Sequence, residues 1–140
     1  MRLLLDTNIV IFLMTDHSHL SKNVAELLQD PENILYVSAE TIREIIILFK
    51  NKGFSSKQWK TCDAFIDSLN KTFGIATLPI DKNVMRTYAH LTLNERQGHK
   101  DPSDHVIISH AITLKMPLIS SDTRFPFYTK QKLDLIFNKR

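Results

Sequence analysis

Hydrophobic positions in this chain alternate between short solid blocks and longer stretches spaced at a helical period. Leu3-Leu4-Leu5 is a solid block that stops at Asp6-Thr7-Asn8, and Ile9 to Met14 is apolar again up to Thr15-Asp16, which predicts a buried strand and then a helix. Ser18 to Gln29 carries Leu20, Val24, Leu27 and Leu28 at helical spacing and stops at Asp30-Pro31. Ile34 to Val37 reads as a second buried strand, and Ser38 opens a helix that runs to about Lys50 and closes at Gly53. A further helix is predicted from a cap at Ser55 or Ser56 to about Thr72, with Trp59, Phe65, Ile66 and Leu69 inward and Gly74 as its stop. Ile75 to Ile80 is a third strand, placed at a sheet edge by Pro79. Asp81 caps a helix expected over Lys82 to Gln97, before Gly98. Asp101 and Pro102 are an N-cap and first helical residue, because the missing proline N–H costs nothing at that position. The helix they open carries Asp104, Ile107, Ile108 and Ala111 at i, i+3, i+4, i+7, an expected buried stripe, with His105, Ser109 and Thr113 off it. Leu118 to Ser120 is a fourth strand, Ser121-Asp122-Thr123 a turn, and Leu133 to Phe137 a last short strand.

Strands separated by helical segments predict an α/β fold: one domain over residues 1–140, with a central, mainly parallel sheet of four to five short strands flanked by helices. At 140 residues and 43% hydrophobic content, such a domain can bury a core without covalent staples. Cys62 stands alone, which excludes an intramolecular disulfide and suits a reducing cytoplasm. The apolar N-terminus is interrupted by Asp6 and Asn8 and lacks a basic leader or a small-residue cleavage site, so neither a signal peptide nor a membrane span is expected. A net charge of +3, part of it in Lys130, Lys132, Lys139 and Arg140, leans toward a polyanionic partner.

The candidate chemistry follows from the topology. In a parallel sheet the carboxyl ends of the strands and the N-termini of the following helices share one edge, where open α/β folds bind ligands. Asp6 follows the first strand, Asp122 the fourth, Glu44 lies in the second turn of a post-strand helix, and Asp104 heads its own helix, so all four can reach that edge. Taken singly each has a plainer reading. Asp6 is a helix cap, Asp122 a turn residue, and Glu44 a solvated charge well away from the face set by Ile42, Ile45, Ile46 and Phe49, although Ile47 and Leu48 flank it one turn later. Asp101 and Asp81 read as caps. Electrostatics decides what convergence would mean. Two like charges about 6 Å apart at an effective dielectric near 20 repel by roughly 3 kcal/mol, and four acids make up to about six such pairs. That sum rivals the roughly 5–15 kcal/mol stability of a whole domain. Such a cluster must protonate, stay open to water or hold a cation; an all-oxygen set suits Mg²⁺ or Mn²⁺, and the implied reaction is metal-assisted attack of water on a phosphodiester.

Leu5-Asp6-Thr7-Asn8, Ser38 through Glu44, Asp101-Pro102-Ser103-Asp104 leading into Ile107-Ile108, and Ser120-Ser121-Asp122 together resemble the PIN-domain ribonucleases, and most closely the VapC-type toxins of bacterial toxin–antitoxin pairs. The resemblance covers nearly the whole chain. It implies that Asp6, Glu44, Asp104 and Asp122 form an acidic Mg²⁺ or Mn²⁺ site, with Thr7, Asn8 and Ser121 in support and Asp101 a cap or an outer neighbour. It also implies an RNA substrate, a homodimer and a small antitoxin that blocks the site. His105 stands where relatives often carry Arg, and Ser109-His110 interrupts a helix that is usually alanine-rich. Arg43, Lys100, Arg124 and the basic C-terminus are candidate phosphate contacts.

Rival readings fit less well. A phosphohydrolase of the haloacid-dehalogenase type needs a second Asp where this chain has Asn8, and a receiver domain needs paired acids at the same place. Zinc would need a third ligand beside His17-x-His19 or His105/His110. The alternative of another class is a PIN-like module that binds RNA or protein without cleaving it.

Overall fold

A computed structural model describes residues 1–51 and 59–140. Five strands, β1 (Arg2–Leu5), β2 (Ile34–Ser38), β3 (Ile75–Leu78), β4 (Leu118–Ser120) and β5 (Leu135–Phe137), form one sheet in the order β3-β2-β1-β4-β5. Every neighbouring pair is parallel. Because β1 is central, the sheet can bury both of its faces. Leu3 and Leu5 enter one apolar cluster with Ile9, Val24, Ile45 and Phe65, while Leu4 enters the other with Ile107, Ile108, Phe125 and Tyr128. A solid Leu3-Leu4-Leu5 block is the sequence form of a strand covered on both sides. Pro79 ends β3, which is an edge strand as expected.

Six helices are described: α1 (Thr7–Met14), α2 (Lys22–Gln29), α3 (Ala39–Lys50), α4 (Cys62–Lys71), α5 (Lys82–His90) and α6 (Pro102–Leu114). Three helix boundaries differ from expectation, each because polar groups hold the backbone at that end. The helix expected from Ser18 starts at Lys22, because the Asp16 carboxylate accepts the Ser18 N–H and winds 17–19 into a separate 3-10 turn. Thr61 caps α4, which begins at Cys62; the cap expected at Ser55 or Ser56 and the stop expected at Gly53 lie outside the described residues. The helix capped by Asp81 ends at His90, not Gln97. Beyond it, Thr92 and Gln131 exchange two 2.9 Å hydrogen bonds and the buried Asn94 side chain engages Gln97 and the Arg124 carbonyl, so side chains claim the backbone that a longer helix would need.

Helix α6 departs furthest from its predicted stripe. It is buried on every side from Ser103 to Ala111, and His105 and Ser109, expected off the buried face, are 2% and 0% exposed. Its polar groups are satisfied within the fold: His105 Nε2 bonds the His99 carbonyl, Ser109 donates to the His105 carbonyl, and His110 Nδ1 meets the hydroxyl of Ser38, the cap of α3. The burial is tolerable because each group is paired.

The topology locates the cleft. From β1 the chain passes to β2 and β3 on one side and to β4 and β5 on the other, so β1 and β4 flank a switch point, and a crevice opens beyond their carboxyl ends. Asp101 starts α6 beside this crevice by accepting the Ser103 N–H at 3.0 Å. Replacing it by alanine is expected to lower unfolding stability by about 1 kcal/mol, and Asp101→Asn by less, as measured by urea denaturation. An alanine variant as stable as the parent would show that the cap contributes nothing.

Candidate active site

The crevice is lined by Asp6, Thr7, Asn8, Glu44, Asp101, Asp104, Asp122 and Arg124, with Ile11, Ile47, Leu48 and Ser103 between them. Sequence-distant acids meet here because four elements end at the same edge. Asp6 follows β1 and caps α1: its Oδ1 accepts the Thr7 N–H at 2.9 Å, and its Oδ2 accepts the hydroxyl of Ser120, the last residue of β4, at 2.7 Å. One carboxylate thereby bridges the two strands of the switch point. Glu44 is half-buried, not solvated. Thr7 donates to its Oε1 at 2.6 Å, and since that uses the Thr7 hydroxyl proton, Thr41 is the donor in the 3.0 Å contact between the two hydroxyls. The helical period misplaced Glu44 because α1, not the sheet, supplies its cover.

Asp104 is 8% exposed and shares the cleft with Asp101. Ligand atoms of Glu44, Asp101 and Asp104 lie within 4.8 Å of one another, as do those of His99, Asp104 and Asp122. Asp104 belongs to both groups, and Asp101 is therefore a helix cap and an outer member of the cluster at once. Asp122 is held differently. Arg124 donates to it through its backbone N–H (2.8 Å), Nε (3.0 Å) and Nη2 (2.7 Å), and Nη2 lies 3.7 Å from Asp104 Oδ2.

These surroundings set the acidities. Burial first, then the charge of Asp104, pushes Asp6 up to about 7 against the opposing bonds from Ser120 and Thr7. Burial raises Glu44 to about 7 despite its bond from Thr7, with Asp6 adding repulsion. Burial, followed by the charges of Asp101, Asp122 and Glu44, lifts Asp104 to about 7. Asp122 alone goes the other way: burial would raise it, but the Arg124 bonds outweigh burial and hold it below the ordinary carboxylate range. Three acids poised at about 7 in one cleft are more negative charge than the fold can keep ionised at neutrality without a cation. The close carboxylates of Glu44, Asp101 and Asp104 are an all-oxygen donor set of the kind that suits Mg²⁺ or Mn²⁺, and Asp6 and Asp122 line the same cleft.

Among the expected supporting residues, Thr7 holds Glu44, and Asn8 is exposed on the cleft wall. Ser121 receives a 2.7 Å bond from Asn138 and faces an adjoining hollow. Of the candidate phosphate contacts, Arg124 is in the cleft. Arg43 is tied to Glu40 and Ser103, each at 2.7 Å, and links α3 to α6, while Lys100 lines a separate hollow with Leu93, Glu95 and His99.

His99 escaped the sequence reading, which weighed histidines only as zinc ligands at characteristic spacings. It is 1% exposed, its Nε2 is 2.9 Å from Asp104 Oδ2, and its Nδ1 is 2.9 Å from the Tyr128 hydroxyl, which accepts the Asn94 N–H at 3.0 Å. Burial and the nearby Arg124 charge keep its imidazole below the usual range, so it is neutral. An ionised Asp104 can only accept, so His99 donates its Nε2–H to Asp104 Oδ2 and the Tyr128 hydroxyl donates to the unprotonated Nδ1. One Asp104 oxygen is thus fixed by His99, and the other is free of that bond. The only available sequence signal was a histidine between Gly98 and the Asp101 cap. His99→Leu is expected to weaken Mg²⁺ or Mn²⁺ binding about 10- to 100-fold by calorimetry, with His99→Gln recovering part of the loss. Unchanged affinity in the leucine variant would leave His99 a packing residue. The remaining histidine pairs are engaged elsewhere: His17 Nε2 is 2.6 Å from the Leu13 carbonyl, and His19 stacks on Phe12.

Relatives of known structure share this architecture. The chain is similar to VapBC2 from Rickettsia felis bound to a DNA fragment from their promoter, at 19% identity and a TM-score of 0.72 over 99% of this chain and 100% of that one. It is similar also to VapBC-1 from nontypeable Haemophilus influenzae, at 24% identity and a TM-score of 0.68 over 98% of each chain. VapBC-5 from Mycobacterium tuberculosis, a member of the VapBC family of toxin-antitoxin systems, matches at 18% identity and a TM-score of 0.64 over 97% of this chain and 98% of that one. At such identities the likeness is one of fold. No curated protein matches by sequence. The family model described as PIN domain matches residues 3–130, from β1 through the turn that carries Asp122 and Arg124. By that match, which takes in every acid of the cleft, the chain belongs to the PIN domain family.

Proposed function

We propose that this protein is a Mg²⁺- or Mn²⁺-dependent endoribonuclease and the toxin of a toxin–antitoxin pair. The observation that carries the reading is the convergence of Asp6, Glu44 and Asp104 in one cleft where each is raised to about 7. Asp6, Glu44, Asp104 and Asp122 would hold a divalent cation, which would supply Lewis acidity to ease deprotonation of the attacking water and to offset charge on the phosphate. The chain's own residues do the rest. Ser120 and Thr7 orient Asp6, His99 orients Asp104, and Thr7 orients Glu44. Arg124, beside Asp122 and Asp104, is the guanidinium placed to meet a substrate phosphate oxygen. Water attacks phosphorus and forms one P–O bond as another breaks, and the proton the water gives up balances the one the departing oxygen takes up.

The VapBC relatives support an antitoxin partner, and a homodimer acting in the cytoplasm belongs to the same proposal. Among the described residues no helix is long and apolar enough to cross a membrane. Purified protein should shorten RNA with Mg²⁺ or Mn²⁺ and cease to do so in excess EDTA. RNA bound but left whole under all conditions would favour the non-cleaving binding module instead.

A further inference from the structure

A polar hollow adjoins the acidic cleft, lined by Asn8, Ser121, Asp122, Thr123, Arg124 and Arg140. It shares Asn8, Asp122 and Arg124 with the cleft, so the two are continuous. Arg140 is the residue that no other role accounts for. Its guanidinium carbon lies 5.3 Å from the centre of the Phe12 ring, which is stacked in turn on His19 at 4.8 Å. Among the described residues no carboxylate pairs with it, whereas Arg124 already carries Asp122.

The placement of Arg140 is enforced two residues earlier. Asn138 is 1% exposed and spends its whole side chain on fixing this end of the chain. Its Nδ2 donates to the His19 carbonyl at 2.8 Å and to Ser121 Oγ at 2.7 Å, and its Oδ1 accepts the Ser21 N–H at 2.7 Å. Its backbone N–H joins the Ser120 carbonyl at 2.8 Å, next to the cleft acids. One buried amide therefore locks the segment after β5 to β4, to the 3-10 turn and to the hollow. Among its side chains the hollow holds two guanidiniums against one carboxylate, and that carboxylate is already matched by Arg124.

A metal-loaded acidic cleft takes one phosphodiester. The neighbouring phosphates of the same strand need cations beside the cleft, and a neutralising hydroxyl- and amide-lined hollow meets that need. We infer that this hollow is a subsite for a phosphate of the RNA strand flanking the scissile bond, with Arg140 as its principal cation and Phe12 and Asn138 as its supports. The inference rests on the ribonuclease reading of the cleft and adds to it where the strand runs.

The test is steady-state cleavage of a single-stranded oligoribonucleotide by the full chain. Arg140→Ala should raise KM about tenfold, the cost of one charge-assisted contact. It should also reduce the slope of log(kcat/KM) against log salt by about 1, and Arg140→Lys should recover most of both. Arg140 is exposed, so neither variant threatens the fold. An unaltered KM and salt slope in Arg140→Ala, with the parent cleaving normally, would overturn the subsite alone. So would unaltered RNA kinetics with weakened hold on a protein partner, which would make the hollow a protein contact. A parent that cleaves no RNA with either metal would overturn the cleft reading and the subsite together.

Discussion

Asp6→Asn is expected to lower kcat for RNA cleavage by about 10³-fold and, at the same time, to make the metal-free protein more stable at pH 8. The two effects have one origin. Asparagine keeps the cap on α1, because its carbonyl oxygen still accepts the Thr7 N–H, and it keeps the side-chain volume next to Ser120. What it loses is the charge and, at the Nδ2 that replaces Oδ2, the acceptor for the Ser120 hydroxyl. A cation site deprived of one anionic ligand gives up several kcal/mol of transition-state stabilisation, which at about 1.4 kcal/mol per factor of ten is the expected 10³. Without metal that same charge is a liability, since burial and Asp104 already push Asp6 up to about 7. Removing it should add about 1–2 kcal/mol of stability above neutrality, a trade of stability against activity common at functional sites. Single-turnover cleavage and urea unfolding of the two proteins check both halves. Full activity in the variant, or a less stable apo fold at pH 8, would remove Asp6 from the proposed site.

The second large effect is a pH-dependent stability that metal abolishes. Asp6, Glu44 and Asp104 sit at about 7 in the fold against ordinary values of 3.8, 4.5 and 3.8. Between about pH 4 and 7 the folded state consequently binds more protons than the unfolded chain, and stability falls as pH rises through that window, the loss being complete above 7. His99, His105 and His110 act in the opposite sense. Burial lowers each of them in the fold, so the unfolded chain binds more protons below about 6.5 and stability falls as pH drops there. Below about 6.5 the two sets oppose each other, so the fall in stability of the metal-free protein is seen most clearly as pH rises through 7. From pH 6.5 to 8 the carboxylates outweigh the histidines, which in the unfolded chain are still half-protonated at 6.5, and the net loss should be about 1 kcal/mol. Metal at a hundredfold excess over its Kd should restore about 2.7 kcal/mol at pH 8 and far less at pH 5.5, where it competes with protons. Thermal unfolding at pH 5.5, 6.5 and 8, with and without Mn²⁺, reads this directly. A metal-free stability flat from 6.5 to 8 would mean that the acids are too well solvated to constitute the site.

Both results depend on acids whose importance was unequally visible in the amino-acid order. Asp6, Asp104 and Asp122 could be placed at one edge because they follow strands or head a helix, and strand-then-helix patterning survives in one dimension. Glu44 could not, because its period points away from the face that α3 buries and only the arrival of α1 brings Thr7 to it. His99 gave still less sign. Its partners, Tyr128 and Asn94, lie 29 and 5 residues away in loops and turns that have no period to read.

By itself the order of residues determined the α/β class, the strands near both ends, the caps at Ser38, Asp81 and Asp101, and the edge position of β3, since each rests on local backbone chemistry or on the covering of one strand. The tertiary structure alone decided the early ends of α5 and the late start of α2, the burial of α6 on every side, and which carboxylates are held by serine, threonine, histidine or arginine. Those outcomes turn on hydrogen bonds between residues far apart in the chain and on the loss of water around them, and neither exists until the sheet has closed.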